Sequence, residues 1–249
     1  MLSKATIKYI QSLQQKKQRS EQGVFVAEGT VMLQEMLEDK NLEAVQVYAT
    51  QDWWSSLTPD WQEKYAPNAS LIEDFQLKQI SSRETAIGGL AIFKQKTNAL
   101  QSNYDNEIVL ALADLQDPGN LGTIIRTADW FGISNIVCSK NTVDCYNPKV
   151  VQSTMGSIGR IAVHYVDLEK WLGQSTADIF AAKLEGIDVK KSEKAKSAIL
   201  LIGNEAKGIS SSYDSVPYKP IHIKRIGASE SLNAAVAAGI LMYEFCNGR

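Results

Sequence analysis

The sequence predicts an α/β protein in two parts, a small α/β sandwich followed by a larger domain built on a parallel sheet. Three observations carry that prediction. Short apolar runs alternate with helical patterns along the chain. In the second half those runs, Ile108–Ala113, Ile136–Cys138, Ile179–Ala182, Ile199–Ile202 and Ile221–Ile223, are continuous rather than alternating. That is the pattern of strands covered on both faces. Between the halves lies Lys96–Glu107, which is polar and without periodicity.

The elements follow in order. Ser3–Gln18 reads as a helix, with Ile7, Ile10 and Leu13 in helical phase. Val24–Ala27 is a short strand, Glu28–Asp39 a helix and Val45–Ala49 a second strand. Leu71–Ile72 and Leu90–Phe93 are further strands, with a helix between them at Asp74–Ile80. The domain limits are therefore expected at 1–95 and 108–249, with 96–107 as linker.

Bulk properties narrow the function classes. The 44% hydrophobic and 22% charged content is ordinary for a soluble globular protein. The net charge of −2 does not favour a nucleic-acid binder overall. Locally, however, the first twenty residues hold Lys4, Lys8, Lys16, Lys17 and Arg19 and no acid. This is either a basic arm for RNA phosphates or a solvated helix face. The three cysteines are odd in number and lack metal-ligand spacing, which points to a reduced, intracellular protein. His164 and His222 are isolated, so no metal site is expected. No apolar stretch reaches membrane-spanning length, and the charged, glutamine-rich start is no secretory signal. A cytoplasmic protein is expected.

Three stretches carry chemistry. In Asp114–Gly132, Pro118–Gly119 forces a turn after a strand and Asn120 is a candidate N-cap. Leu121, Ile124, Ile125, Ala128 and Phe131 form the apolar stripe of the helix that follows, and Arg126 lies off it. Taken alone this is a strand–turn–helix junction with a surface arginine. In Leu200–Ser210 a strand ends in Gly203–Asn204–Glu205, with Gly208 close behind. Open α/β sheets bind ligands at such strand ends, and glycines let backbone approach a ligand closely. Taken alone this is equally a plain βα loop. In Ile221–Phe245 a strand leads through Gly227–Ala228–Ser229 to Ser231–Leu232–Asn233 and an alanine-rich helix. A helix so apolar belongs in a core or an interface.

Together the three resemble, in order and spacing, the signature motifs of the SpoU (TrmH-like) branch of the SPOUT methyltransferases. Asn120, Gly122 and Arg126 match the first motif, and Gly203, Asn204, Glu205 and Gly208 the second. Glu230, Ser231, Leu232 and Asn233 match the third. Asn147–Pro148–Lys149 and Met155–Gly156–Ser157 resemble the family's intervening segment, and Phe25–Gly29 resembles its ribosomal-protein-like substrate-binding domain. Two departures stand out: Ala206, where glycine is common, and Lys224–Arg225, where proline and methionine are common.

The resemblance implies a parallel sheet with a trefoil knot and S-adenosylmethionine as cofactor, contacted by Gly203, Ile223 and Leu232. It implies methylation of a ribose 2′-hydroxyl in RNA, ribosomal rather than transfer RNA, by a homodimer. The candidate catalytic set is Asn120, Arg126, Glu205, Ser231 and Asn233. Guanidinium groups hold their proton far above neutral pH, so an electrostatic role suits Arg126 better than that of a base. Two rivals remain open to test. A non-catalytic RNA-binding protein of the same fold would not need the full polar set. A nicotinamide enzyme would carry a glycine fingerprint that the chain lacks.

Overall fold

The computed structural model describes residues 2–101, 104–193 and 195–247. The chain forms two compact units: residues 1–97 together with 146–159, and residues 98–145 together with 160–249.

The first unit runs α1 (Lys4–Ser12), α2 (Lys16–Gln22), β1 (Val24–Gly29), α3 (Val31–Glu38), β2 (Ala44–Thr50), α4 (Gln51–Ser56), α5 (Pro59–Tyr65), β3 (Ala69–Ile72), α6 (Asp74–Ile80) and β4 (Gly89–Lys94). Its sheet has the order β1-β4-β2-β3, with β4 antiparallel to both neighbours and β2 parallel to β3. Ile10, Leu13, Val26, Leu77, Leu90 and Ile92 close one core on it.

The expected helix Ser3–Gln18 is in fact two. The chain breaks after Ser12, and Arg19 turns back to fill the gap. Its side chain is only 1% exposed, and its Nη1 donates to the carbonyl oxygens of Leu13 (2.9 Å) and Gln14 (2.8 Å). Those carbonyls would otherwise be orphans at a helix end. Glu28, expected to open a helix, instead belongs to β1, and the helix starts at Val31.

The second unit contains β5 (Ile108–Leu112), α7 (Pro118–Trp130) and β6 (Asn135–Ser139). The segment that follows, with α8 (Pro148–Thr154), packs with the first unit, where Tyr146 stacks on Phe25 with ring centroids 4.6 Å apart. The second unit resumes with β7 (Ala162–Val166), α9 (Leu168–Gly173), β8 (Asp178–Asp188), β9 (Ala198–Ile202), β10 (Tyr218–His222) and α10 (Ala234–Cys246). Its six strands are all parallel, in the order β10-β8-β9-β5-β6-β7. The parallel sheet expected from continuous apolar runs is present. β5, β6 and β9 are buried along their whole length.

β7 and the full length of β8 go beyond the expected strands. β7 is a half-buried edge strand interrupted by His164. In β8 the pairing with β10 jumps from Ala181 to Ile187, so residues 182–186 bulge out of the ladder. Gly186 makes the bulge feasible, because its φ is +147° and a Cβ there would lie 2.6 Å from the Pro220 carbonyl carbon. Among the described residues no helix is long and apolar enough to cross a membrane.

Candidate active site

The three signature stretches meet at the carboxyl ends of the second unit's strands. α7 starts in a tight turn capped by Asp117, whose Oδ1 accepts from the Asn120 N–H at 2.8 Å. Asn120 is therefore not the cap that the sequence suggests. It sits inside the first helical turn, buried, and its side chain is free to reach distant partners. Its Nδ2 donates to Glu205 Oε1 at 3.1 Å, and its Oδ1 accepts from Asn233 Nδ2 at 2.9 Å. Asn233 in turn caps α10, its Oδ1 accepting from the N–H groups of Ala235 and Val236. A single hydrogen-bonded chain thus joins Glu205, Asn120 and Asn233, one residue from each motif.

Glu205 anchors that chain to the loop before α7. Its carboxylate also accepts from the backbone N–H of Asp117 (2.9 Å) and of Gln116 (3.2 Å). Burial pushes this carboxyl up, but the hydrogen bonds from Asn120 and from the N–H groups of Asp117, Glu205 and Gln116 outweigh it. The net shift is below the ordinary carboxylate value. Beside it, Asn204 Nδ2 donates to the Asp114 carbonyl at 2.7 Å, and Asn204 Oδ1 accepts from the N–H groups of Ala206 and Lys207. The loop 203–208 closes on itself through paired bonds between Asn204 and Gly208.

That closure gives Gly203 a role in the loop itself, besides the ligand approach expected of it. A Cβ there would lie 2.5 Å from the Ile209 nitrogen, so the missing side chain first serves the loop's own packing. Ile223 is half-buried and Leu232 is exposed. They bracket residues 223–232, none of which enters a backbone–backbone hydrogen bond outside the strand ladders among the described residues. Apolar side chains at this sheet edge also stand open: Ile226 is 94% exposed, and Leu184, on the bulge of β8, is 77% exposed. The bulge has no signal in the sequence, since only the pairing with β10 reveals it.

The other expected residues are placed as follows. Arg126 is exposed on α7 and makes no hydrogen bond or ion pair among the described residues. Ser231 is exposed, and its carbonyl accepts from Ser229 Oγ at 3.1 Å. Neither joins the Glu205–Asn120–Asn233 chain. In the first unit, Lys4, Lys8, Lys16 and Lys17 are exposed. Arg19 has to be removed from that set, because its guanidinium is buried and committed to the break between α1 and α2.

The site can hold a ligand with both polar edges and an apolar face. The main chain of 223–232, where the carbonyls of Ser229 and Ser231 accept side-chain bonds and the described residues make no backbone–backbone ones outside the strand ladders, offers N–H and carbonyl groups, while Ile226, Leu232 and Leu184 offer unburied apolar surface. An adenosine with a methionine arm has this chemistry, so the residues present fit S-adenosylmethionine. A cavity of about 260 Å³ elsewhere in this unit, lined by Ile108, Phe131, Ser134 and Cys246 among others, lies at the amino ends of β5 and β6, away from the motifs. Among the described residues no cluster of His, Cys, Asp or Glu is arranged to hold a metal ion.

Comparison with known proteins gives a consistent set of likenesses. The model of the SpoU rRNA Methylase family matches residues 107–243, and that of the MRM3-like substrate binding domain matches residues 4–91. A 23S rRNA (guanosine(2553)-2′-O)-methyltransferase of Bacillus subtilis is 34% identical over 139 residues, covering 54% of this chain and 56% of that protein. The chain therefore spans only about half the length of that relative. An uncharacterised tRNA/rRNA methyltransferase of Synechocystis is 27% identical over 96% of this chain and 89% of its own length. Among solved structures, a TrmH-family protein of Porphyromonas gingivalis superposes with a TM-score of 0.85 at 30% identity, covering 98% of both chains. An AdoMet-bound rRNA methyltransferase of Sinorhizobium meliloti superposes with a TM-score of 0.86 at 28% identity, covering 98% of this chain and 95% of that one.

Proposed function

The chain belongs to the SpoU rRNA methylase family, and on that footing we propose that it transfers the methyl group of S-adenosylmethionine to a ribose 2′-hydroxyl of ribosomal RNA. One observation supports the reading above the rest: the hydrogen-bonded chain Glu205–Asn120–Asn233, which ties all three motifs together, on the same helix as an Arg126 that has no partner among the described residues. The cofactor supplies a methyl group already activated on a positively charged sulfur. What the protein has to do is bind, orient the attacking oxygen and manage charge.

Arg126 binds a substrate phosphate and stabilises charge that develops on the 2′-oxygen. Asn120 is fixed in one amide orientation, donor to Glu205 and acceptor from Asn233, and orients the ribose. Glu205 already accepts hydrogen bonds on both oxygens and is weakened as a base. We therefore assign it a positioning role rather than proton transfer. Ser231 lies exposed next to the cofactor loop, within the segment that would meet substrate. Gly203, Ile223 and Leu232 hold the cofactor.

Residues 1–95 take the role of RNA-binding domain, 96–107 of linker and 108–249 of methyltransferase domain. The exposed Lys4, Lys8, Lys16 and Lys17 would contact phosphates without reading sequence. A homodimer and a cytoplasmic location complete the proposal. Names of relatives support ribosomal over transfer RNA, the Bacillus subtilis protein among them.

The test is incubation with methyl-labelled S-adenosylmethionine and unmodified 23S ribosomal RNA transcribed in vitro. Label in alkali-resistant dinucleotides is expected, since a 2′-O-methyl blocks hydrolysis. Label confined to bases would overturn the reaction. RNA binding without any transfer would favour the non-catalytic alternative.

A further inference from the structure

We propose that the loop 81–88 and the turn after β1 form an RNA-docking platform on the first unit, in which Arg83 receives a phosphate and the buried Glu28 positions it. The inference rests on RNA being the substrate. It concerns a place in the other unit from the methyl-transfer site.

Glu28, the last residue but one of β1, is buried at 7% exposure. A buried carboxylate is costly unless it is well hydrogen-bonded. Its donors all come from one loop, more than fifty residues later: Ser81 Oγ, Ser82 Oγ, and the Ser82 N–H at 3.1 Å. Ser81 Oγ passes the order on by accepting from the Arg83 N–H at 3.0 Å. The other end of the loop is fixed by glycine. Gly88 has φ +75°, and a Cβ on it would lie 2.7 Å from the Gly29 carbonyl oxygen and 2.5 Å from the Thr30 methyl. The Gly88 carbonyl accepts from both the N–H and the hydroxyl of Thr50 at 3.0 Å. The loop is thus tied down at both ends against residues 28–30.

What this rigid loop presents is chemically specific. The Arg83 guanidinium lies over Gly29, its Nη1 3.1 Å from where a Cβ would stand. The side chain is half-buried, yet its guanidinium makes no hydrogen bond or ion pair among the described residues. In the same loop and at the start of α3, Ile87 and Val31 are exposed apolar side chains. A planar cation without a partner, held beside exposed aliphatic surface, suits the phosphate and the splayed base of a single-stranded RNA loop. Glu84, the acid of the loop, is exposed and makes no ion pair among the described residues.

The experiment measures equilibrium binding of the 23S transcript by the full chain, with S-adenosylmethionine affinity by calorimetry and thermal unfolding alongside. Arg83→Ala should weaken RNA binding about tenfold and leave cofactor affinity unchanged. Arg83→Lys should recover only part of it, since the charge stays but the fork is lost. Glu28→Gln keeps the shape but puts an amide donor among serine donors, so it should free the loop and weaken RNA binding similarly. Because Glu28 works through Arg83, the double variant should be no worse than Arg83→Ala. Wild-type RNA affinity in a folded Arg83→Ala would overturn the platform. So would fully additive losses in the double variant. A wild-type protein that transfers no methyl group to RNA would instead overturn the functional reading on which the platform rests.

Discussion

At the scale of single residues, Arg126 and Asn120 carry opposite expectations although they share a helix. Arg126 is exposed and makes no hydrogen bond or ion pair among the described residues, so Arg126→Ala should change unfolding free energy by no more than about 0.5 kcal/mol. If it acts on the transition state, single-turnover methylation should fall by two or more orders of magnitude while cofactor affinity holds. Arg126→Lys should recover a fraction of the rate. Full activity in Arg126→Ala would remove the residue from the mechanism. Asn120→Ala should cost both rate and stability, because it strips a donor from Glu205 and an acceptor from Asn233 at a buried position. The stability loss should be about 1–3 kcal/mol in denaturant unfolding. Glu205 adds a pH signature. Its folded carboxyl sits below its unfolded value, so its contribution is complete above the unfolded value and disappears as pH falls through the folded one. The stability gap between wild type and Glu205→Gln should therefore be widest near neutral pH and close as pH drops below about 4. A gap independent of pH would remove the carboxylate from that role.

At the scale of elements, the break between α1 and α2 shows where sequence pattern stops being informative. Ile7, Ile10 and Leu13 keep helical phase up to the break, and nothing local in Gln14–Gln15 announces it. The break is held by a tertiary device, the buried Arg19 guanidinium on two carbonyls. Arg19→Ala should destabilise the first unit by about 2 kcal/mol or more. By contrast, replacing Lys4, Lys8, Lys16 and Lys17 together should spare stability and flatten the salt dependence of RNA binding. On single strands the slope should fall by about 0.7 for each phosphate that is no longer neutralised. An unchanged slope would return these lysines to a solvated face.

The same distinction separates what can be read in the sequence from what cannot. Of the expected stripe, Leu121, Ile124, Ile125 and Ala128 are fully buried as the period requires, while Phe131, at the C-cap of α7, is half-buried. The continuous runs of β5, β6 and β9 are likewise the middle of a parallel sheet. Asn120 resembles a cap in the sequence, but Asp117, three residues earlier, is an equally good one and takes the position. The real partners of Asn120 lie 85 and 113 residues away. The motif residues are legible as a set, but the hydrogen-bonded chain that joins them is not. Gly203 stands out in the sequence for ligand approach, but the sequence does not show that its missing Cβ also permits the closure of the loop. β7 and the bulge of β8 leave no mark because an edge strand with a histidine and a five-residue bulge both break the periodicity of strands.

At the scale of the whole molecule, α10 sets the last expectation. One face, with Ala235, Ala238, Leu241, Met242 and Phe245, is buried in its own unit, where Phe245 packs edge-on against Phe180. The other carries Val236, Ile240 and Tyr243, spaced at helical intervals, with Val236 and Tyr243 exposed by half or more. Trp130 ends α7, the helix packed against α10, and is 84% exposed. A helix with Glu244 as its one charged residue and apolar side chains on its outer face, next to an exposed tryptophan, calls for a second surface to cover it. A two-fold partner presenting the same helices would do so with a self-complementary contact. Light scattering at micromolar concentration should then report about twice the 27.5 kDa of the chain. The double substitution Val236→Glu and Tyr243→Glu should return it to one chain with secondary structure unchanged and only a small loss of stability, because both side chains are half exposed and only the edge-on contact of Tyr243 with Phe131 is lost. If methyl transfer is lost with the dimer while S-adenosylmethionine still binds, the partner contributes to the substrate side of the site. If cofactor binding is lost as well, the interface supports the 223–233 segment that leads into α10. A wild-type protein that runs as a clean monomer would sink the dimer and leave the assignment of the hydrogen-bonded site untouched.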